Sequence, residues 1–111
     1  MTTQNILDAL QKQELIFNDV LAHIENLYEA QPTAFTNGSL KNEGTQNQGS
    51  ARVLFFAKKE GLSANDTLCL FAEHYQAVLN DPDGEAHQNI RQFMQHGWDG
   101  VTFEKDVLIE K

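Results

Sequence analysis

The chain has 111 residues, 41% of them hydrophobic, and carries 16 Asp and Glu against 8 Lys and Arg, a formal net charge of −8. A length of this order suits one domain, spanning residues 1–111, with a core that needs no disulfide or metal staple. The acidic balance argues against nucleic acid and anionic membranes as partners, no apolar run is long enough to span a bilayer, and Cys69, the only cysteine, excludes an internal disulfide.

The opening MTTQNILDALQKQ lacks the basic and apolar regions of a Sec signal, so the expected location is the cytoplasm. Thr2 or Thr3 can cap a short first helix with Ile6, Leu7 and Leu10 inside. Phe17, Val20, Leu21, Ile24, Leu27 and Tyr28 recur at three- and four-residue steps and predict a second helix, stopped by Pro32. Residues 31–50, QPTAFTNGSLKNEGTQNQGS, then hold only Ala34, Phe35 and Leu40 as apolar residues. Connections of this length are usually functional or disordered. The asparagines and glycines favour order through turns and backbone hydrogen bonds, with Asn37-Gly38 as a two-residue turn.

Ser50 reads as the N-cap of a third helix that buries Val53, Leu54, Phe56 and Ala57 and ends at Gly61. Ser63 and Asp66 open a fourth, with Leu68, Phe71, Ala72, Tyr75 and Leu79 as its inner stripe. A fifth, from Glu85 to His96, buries Ala86, Ile90, Phe93 and Met94. Val101–Phe103 and Val107–Ile109 predict two short strands joined as a hairpin. The expected fold is mainly α: about five helices around one core, a long ordered polar loop, and a short C-terminal β-hairpin.

The candidate chemistry lies in the polar loop and the fifth helix. Gly44 and Gly49-Ser50 have the glycine spacing of a phosphate loop, but Ala51 stands where the lysine belongs and no strand precedes them, which excludes a Walker A site. Backbone N–H groups at a helix start still attract anions, and Arg52 lies in that first turn; simple helix capping by Ser50 is the plainer reading. On a helical projection, Asn89, His96, His87 and Arg91 flank the buried stripe of the fifth helix. Asn89 and Arg91 there either reach a ligand or hold loop carbonyls. The candidate ligand-binding set is therefore Asn47, Ser50, Arg52, His87, Asn89 and Arg91, and the candidate structural network Asn37, Asn42, Gly49 and Trp98. His23, His74, His87 and His96 show no metal-ligand spacing, so neither a metal nor another cofactor is expected. Cys69, between two leucines, reads as a buried thiol, and Trp98 as a lid on the core.

The segments PTAFTNG (32–38), NQGS (47–50), HQNIRQF (87–93) and GWDGVTF (97–103) resemble the HopJ family, in order and over nearly the whole chain. The resemblance implies a type III effector of bacterial origin and supplies no catalytic residues. Two functions follow. The first is an effector-like protein that acts by protein–protein interaction on a host or bacterial partner. The second is a resident cytoplasmic protein or enzyme that binds a small anion between loop 37–50 and helix 85–96. The helical pattern beginning at Ile6 leaves little room for a disordered secretion segment and makes residence a serious alternative to export; the interaction reading is preferred, because the sequence shows no complete catalytic signature.

Overall fold

The computed structural model describes residues 2–111. Six α-helices and five short strands follow in the order α1 (Thr3–Gln11), α2 (Phe17–Leu27), β1 (Tyr28–Ala30), β2 (Phe35–Asn37), β3 (Leu40–Asn42), α3 (Gln48–Glu60), α4 (Ala64–Cys69), α5 (Glu73–Asn80), α6 (Gln88–His96), β4 (Val101–Phe103) and β5 (Leu108–Glu110), with a 3₁₀ turn at Gly97–Gly100 before β4. The fold is mainly α with two small antiparallel sheets.

Local chemistry accounts for three of the helix ends. The Thr2 hydroxyl accepts the Asn5 N–H at 3.1 Å, and Asn5 Oδ1 accepts the Thr2 N–H at 3.2 Å, which satisfies two orphan donors of α1. Ser63 caps α4 through the Asp66 N–H at 3.2 Å. Gly61 ends α3 with φ +69°, a conformation that costs glycine nothing. Val53, Leu54, Phe56 and Ala57 of α3 are at most 1% exposed. They centre a single apolar cluster that also takes Ile6, Leu7 and Leu10 of α1, Ile24 of α2 and Phe93 of α6.

The polar stretch 31–50 is not structureless. Strands β2 and β3 form a hairpin inside it, in the register Asn37↔Leu40, so the loop residues are Gly38 and Ser39. The expected Asn37-Gly38 turn is thus displaced by one position. Asn37 belongs to the strand and is fully buried, while Gly38 takes φ +61° at the first loop position, where only a positive φ lets a two-residue loop match the twist of its strands.

Three further expectations are corrected. The fourth helix is two helices, broken at Ala72 with φ 53° and ψ −124°. Leu79 therefore leaves the core and is 46% exposed, while Val78 takes its place at 2%. The last helix begins at Gln88, three residues late; Ala86 is exposed and Met94 is 44% exposed. The final two strands exist but do not pair with each other. Strand β4 pairs with β2 (Phe35↔Phe103), and β5 pairs with β1 (Ala30↔Leu108). An isolated hairpin of three-residue strands would be marginal, and each strand here instead extends an edge offered by the first half of the chain.

Candidate functional site

Helices α3 and α6 start beside one another, and both start in an unusual way. Asn47 precedes α3 with φ 52° and ψ 38°, and His87 precedes α6 with φ 58° and ψ 51°. Asparagine and histidine are among the few residues that enter this left-handed region readily. Neither side chain caps the helix it opens, and neither first turn holds an acidic residue. The first N–H groups of both helices keep their partial positive charge uncompensated.

Beneath these two starts lies an amide cluster. Asn37 Nδ2 donates to Asn89 O at 2.7 Å and to Asn89 Oδ1 at 3.1 Å. Asn42 Nδ2 donates to the same Oδ1 at 3.3 Å, and Asn89 Nδ2 returns a bond to Asn42 Oδ1 at 3.1 Å. Asn47 Nδ2 completes the set on Asn42 Oδ1 at 2.7 Å. Asn37, Asn42 and Asn89 are at most 4% exposed. Buried amides are tolerated only when bonded, and these bond one another. Asn37 Oδ1 is the one buried side-chain polar atom without a partner among the described residues.

Above the cluster opens a cavity of about 240 Å³. Asn47, Gly49, Ser50, His87 and Asn89 line its polar side, and Phe17, Phe71 and Ile90 its apolar side; His74, at the start of α5, joins them. The His74 and His87 rings lie 4.8 Å apart between centroids, and Phe17 meets His74 edge-on at the same separation. Burial, then the neighbouring His74 and Arg91, hold the His87 imidazole below its ordinary value of 6.5. A neutral imidazole can give or take a hydrogen bond, and a nearby anion favours its protonated form. The arrangement suits a small anion with an apolar body. Among the described residues no group of three or more His, Cys, Asp or Glu stands close enough together to hold a metal ion.

Of the six residues expected to bind a ligand, Asn47, Ser50, His87 and Asn89 meet at this cavity. Arg52 does not, because its guanidinium turns to Glu25 at 3.1 Å. Arg91 does not either. Its Nε donates to Ala86 O at 2.6 Å and an η nitrogen donates to Pro82 O at 3.1 Å, which ties down the segment before α6. Trp98 lies outside the amide network; it packs edge-on against Phe93 and donates to Leu62 O at 3.1 Å, as a lid would. Gly49 approaches Phe17 rather than the amides. His74 and Phe17 were not expected here. The helix break at Ala72, which turns His74 toward α6, leaves no mark in the sequence.

The family model described as HopJ type III effector protein matches residues 3–108. The chain belongs to the HopJ family. A solved structure titled as that of an unknown-function protein, VPA0580, is 38% identical, with a TM-score of 0.90 over 100% of this chain and 95% of that one. No curated protein matches the HopJ chain. No helix among its described residues is long and apolar enough to cross a membrane.

Proposed function

We propose that this HopJ protein binds a small anion in the cavity between the starts of α3 and α6, as the molecular part of an effector-like role. One observation carries the reading: Asn47, Ser50, His87 and Asn89 share a cavity with a second imidazole, where two uncapped helix starts converge. Helix N-termini attract anions through free N–H groups and the aligned peptide dipoles. The residues would divide the work as follows. The Ser50 hydroxyl, with the N–H groups of Ser50 and Asn89, holds the anion, Asn47 orients it, and His87 takes up a proton. A ¹⁵N amide NMR titration with inorganic phosphate and with benzoate tests this. Saturable shifts at residues 47–50, 74 and 87–90, weakened about tenfold by His87→Gln, are expected. Shifts spread over the surface, or unchanged by that substitution, overturn the reading.

A second reading is action on a host or bacterial protein partner after export by type III secretion. Family membership favours it, and so does one surface feature: Leu79 and Met94, each close to half exposed, share a groove between α5 and α6.

A further inference from the structure

Helices α5 and α6 enclose a groove of about 390 Å³, distinct from the anion cavity. Leu79 and Met94 stand on its two walls, with Val78 and Pro82 between them and Gln92 and Gln95 along α6. Leu79 is 46% and Met94 44% exposed, although the neighbouring Val78 and Phe93 are buried. Exposed leucine and methionine that face one concavity mark a contact surface, and methionine adapts its shape to what it meets.

The connection at one end of the groove is acidic. Asp81, Asp83 and Glu85 flank Pro82 and Gly84 of the lining in sequence, residues 73–99 contain no lysine, and the one arginine, Arg91, is the charged residue of the lining. Arg91 is engaged with the carbonyls of Ala86 and Pro82. His74, His87 and His96 are the remaining titratable groups on these elements. Asp81, Asp83 and Glu85 are exposed on the connection that closes one end.

The walls are helices, so they offer no open strand edge. A segment entering the groove must satisfy its own backbone N–H and C=O groups, which a helix does and an extended peptide does not. We propose that the α5–α6 groove receives an amphipathic basic helix of a protein partner, its apolar face on Leu79 and Met94 and its Lys and Arg residues against Asp81, Asp83 and Glu85. The proposal rests on the protein-interaction reading above. An anionic membrane is excluded as the occupant by the same acidic rim.

A leucine–lysine amphipathic model helix and its leucine–glutamate counterpart serve as probes in ¹⁵N amide NMR titrations. The lysine helix is expected to shift residues 78–95 saturably, and the glutamate helix to leave them unmoved. Leu79→Asn with Met94→Gln, both at exposed positions, is expected to weaken binding about tenfold or more. Asp81→Asn with Asp83→Asn and Glu85→Gln is expected to weaken it and flatten its salt dependence. Equal binding of both helices, or binding indifferent to the Leu79 and Met94 changes, overturns the groove. Saturable shifts of the lysine helix elsewhere, at Ile16 or Ile109, also overturn it but leave a protein-interaction role standing. No shift anywhere removes support from both.

Discussion

Asn89 illustrates how one side chain holds two parts of the chain in register. At 4% exposure it meets Asn37 from β2 and Asn42 from β3. Asn89→Ala is expected to cost about 2–4 kcal/mol in denaturant unfolding, because it strands the Asn37 and Asn42 amides without partners in the interior. Ser50→Ala, at a site where the hydroxyl caps nothing, is expected to change stability by less than about 0.5 kcal/mol while weakening anion binding. That contrast separates a binding role from a structural one. His87 adds a pH dependence. Its folded value lies below the ordinary 6.5, so the unfolded chain binds more protons as pH falls through that range. The stability His87 contributes is full above about pH 6.5 and is lost as pH drops toward its folded value. His23, also lowered by burial, acts in the same direction. Unfolding of His87→Gln is expected to depend less on pH below 6.5 than that of the parent protein, and bound phosphate is expected to raise the His87 value in an imidazole NMR titration.

Among elements, legibility followed the length of the periodic signal. The nine-residue α1 and the thirteen-residue α3 carry enough turns for their stripes to declare themselves; α1 buries the expected residues, while α3 buries Ala51 and Phe55 besides the expected four and starts at Gln48, ahead of the expected cap Ser50. All five strands have three residues: β4 and β5 were legible from their apolar and β-branched runs, whereas β1, β2 and β3 lay in a helix end and a polar loop that carry no such run. The break at Ala72 was hidden for the opposite reason. Alanine is the best helix former, and the apolar period runs through it unbroken. Tertiary packing overrides propensity there: Leu70 and Phe71, just before the break, are both buried at 1% or less, and His74, just after it, meets His87. Ala72 takes the strain at φ 53° and ψ −124°. Ala72→Gly is expected to stabilise the protein by about 0.5–1 kcal/mol, seen as a higher denaturant midpoint with an unchanged slope. The candidate site was legible in its asparagines, because turn-forming residues in a long connection must bond something. It was not legible in its arginines, whose long side chains reach Glu25 or the carbonyls of Pro82 and Ala86 as readily as a ligand.

Across the whole molecule, the two sheets tie the late part of the sequence to the early part. Leu108 is 2% exposed and faces Ala30 across the β1–β5 pair. Leu108→Ala is expected to cost about 2–4 kcal/mol and to loosen β1 as well as β5, which amide hydrogen exchange at residues 28–30 would report. The two closing strands defeated the sequence reading because adjacency in sequence is the usual guide to strand pairing, and both found partners made far earlier.

The same pairing sets a timetable. During synthesis β1 emerges early and has no strand to join until residues 108–110 follow it, and β2 gains its second neighbour only with residues 101–103. A chain whose non-local contacts form last folds slowly. It stays open to a chaperone until strands β4 and β5 are made.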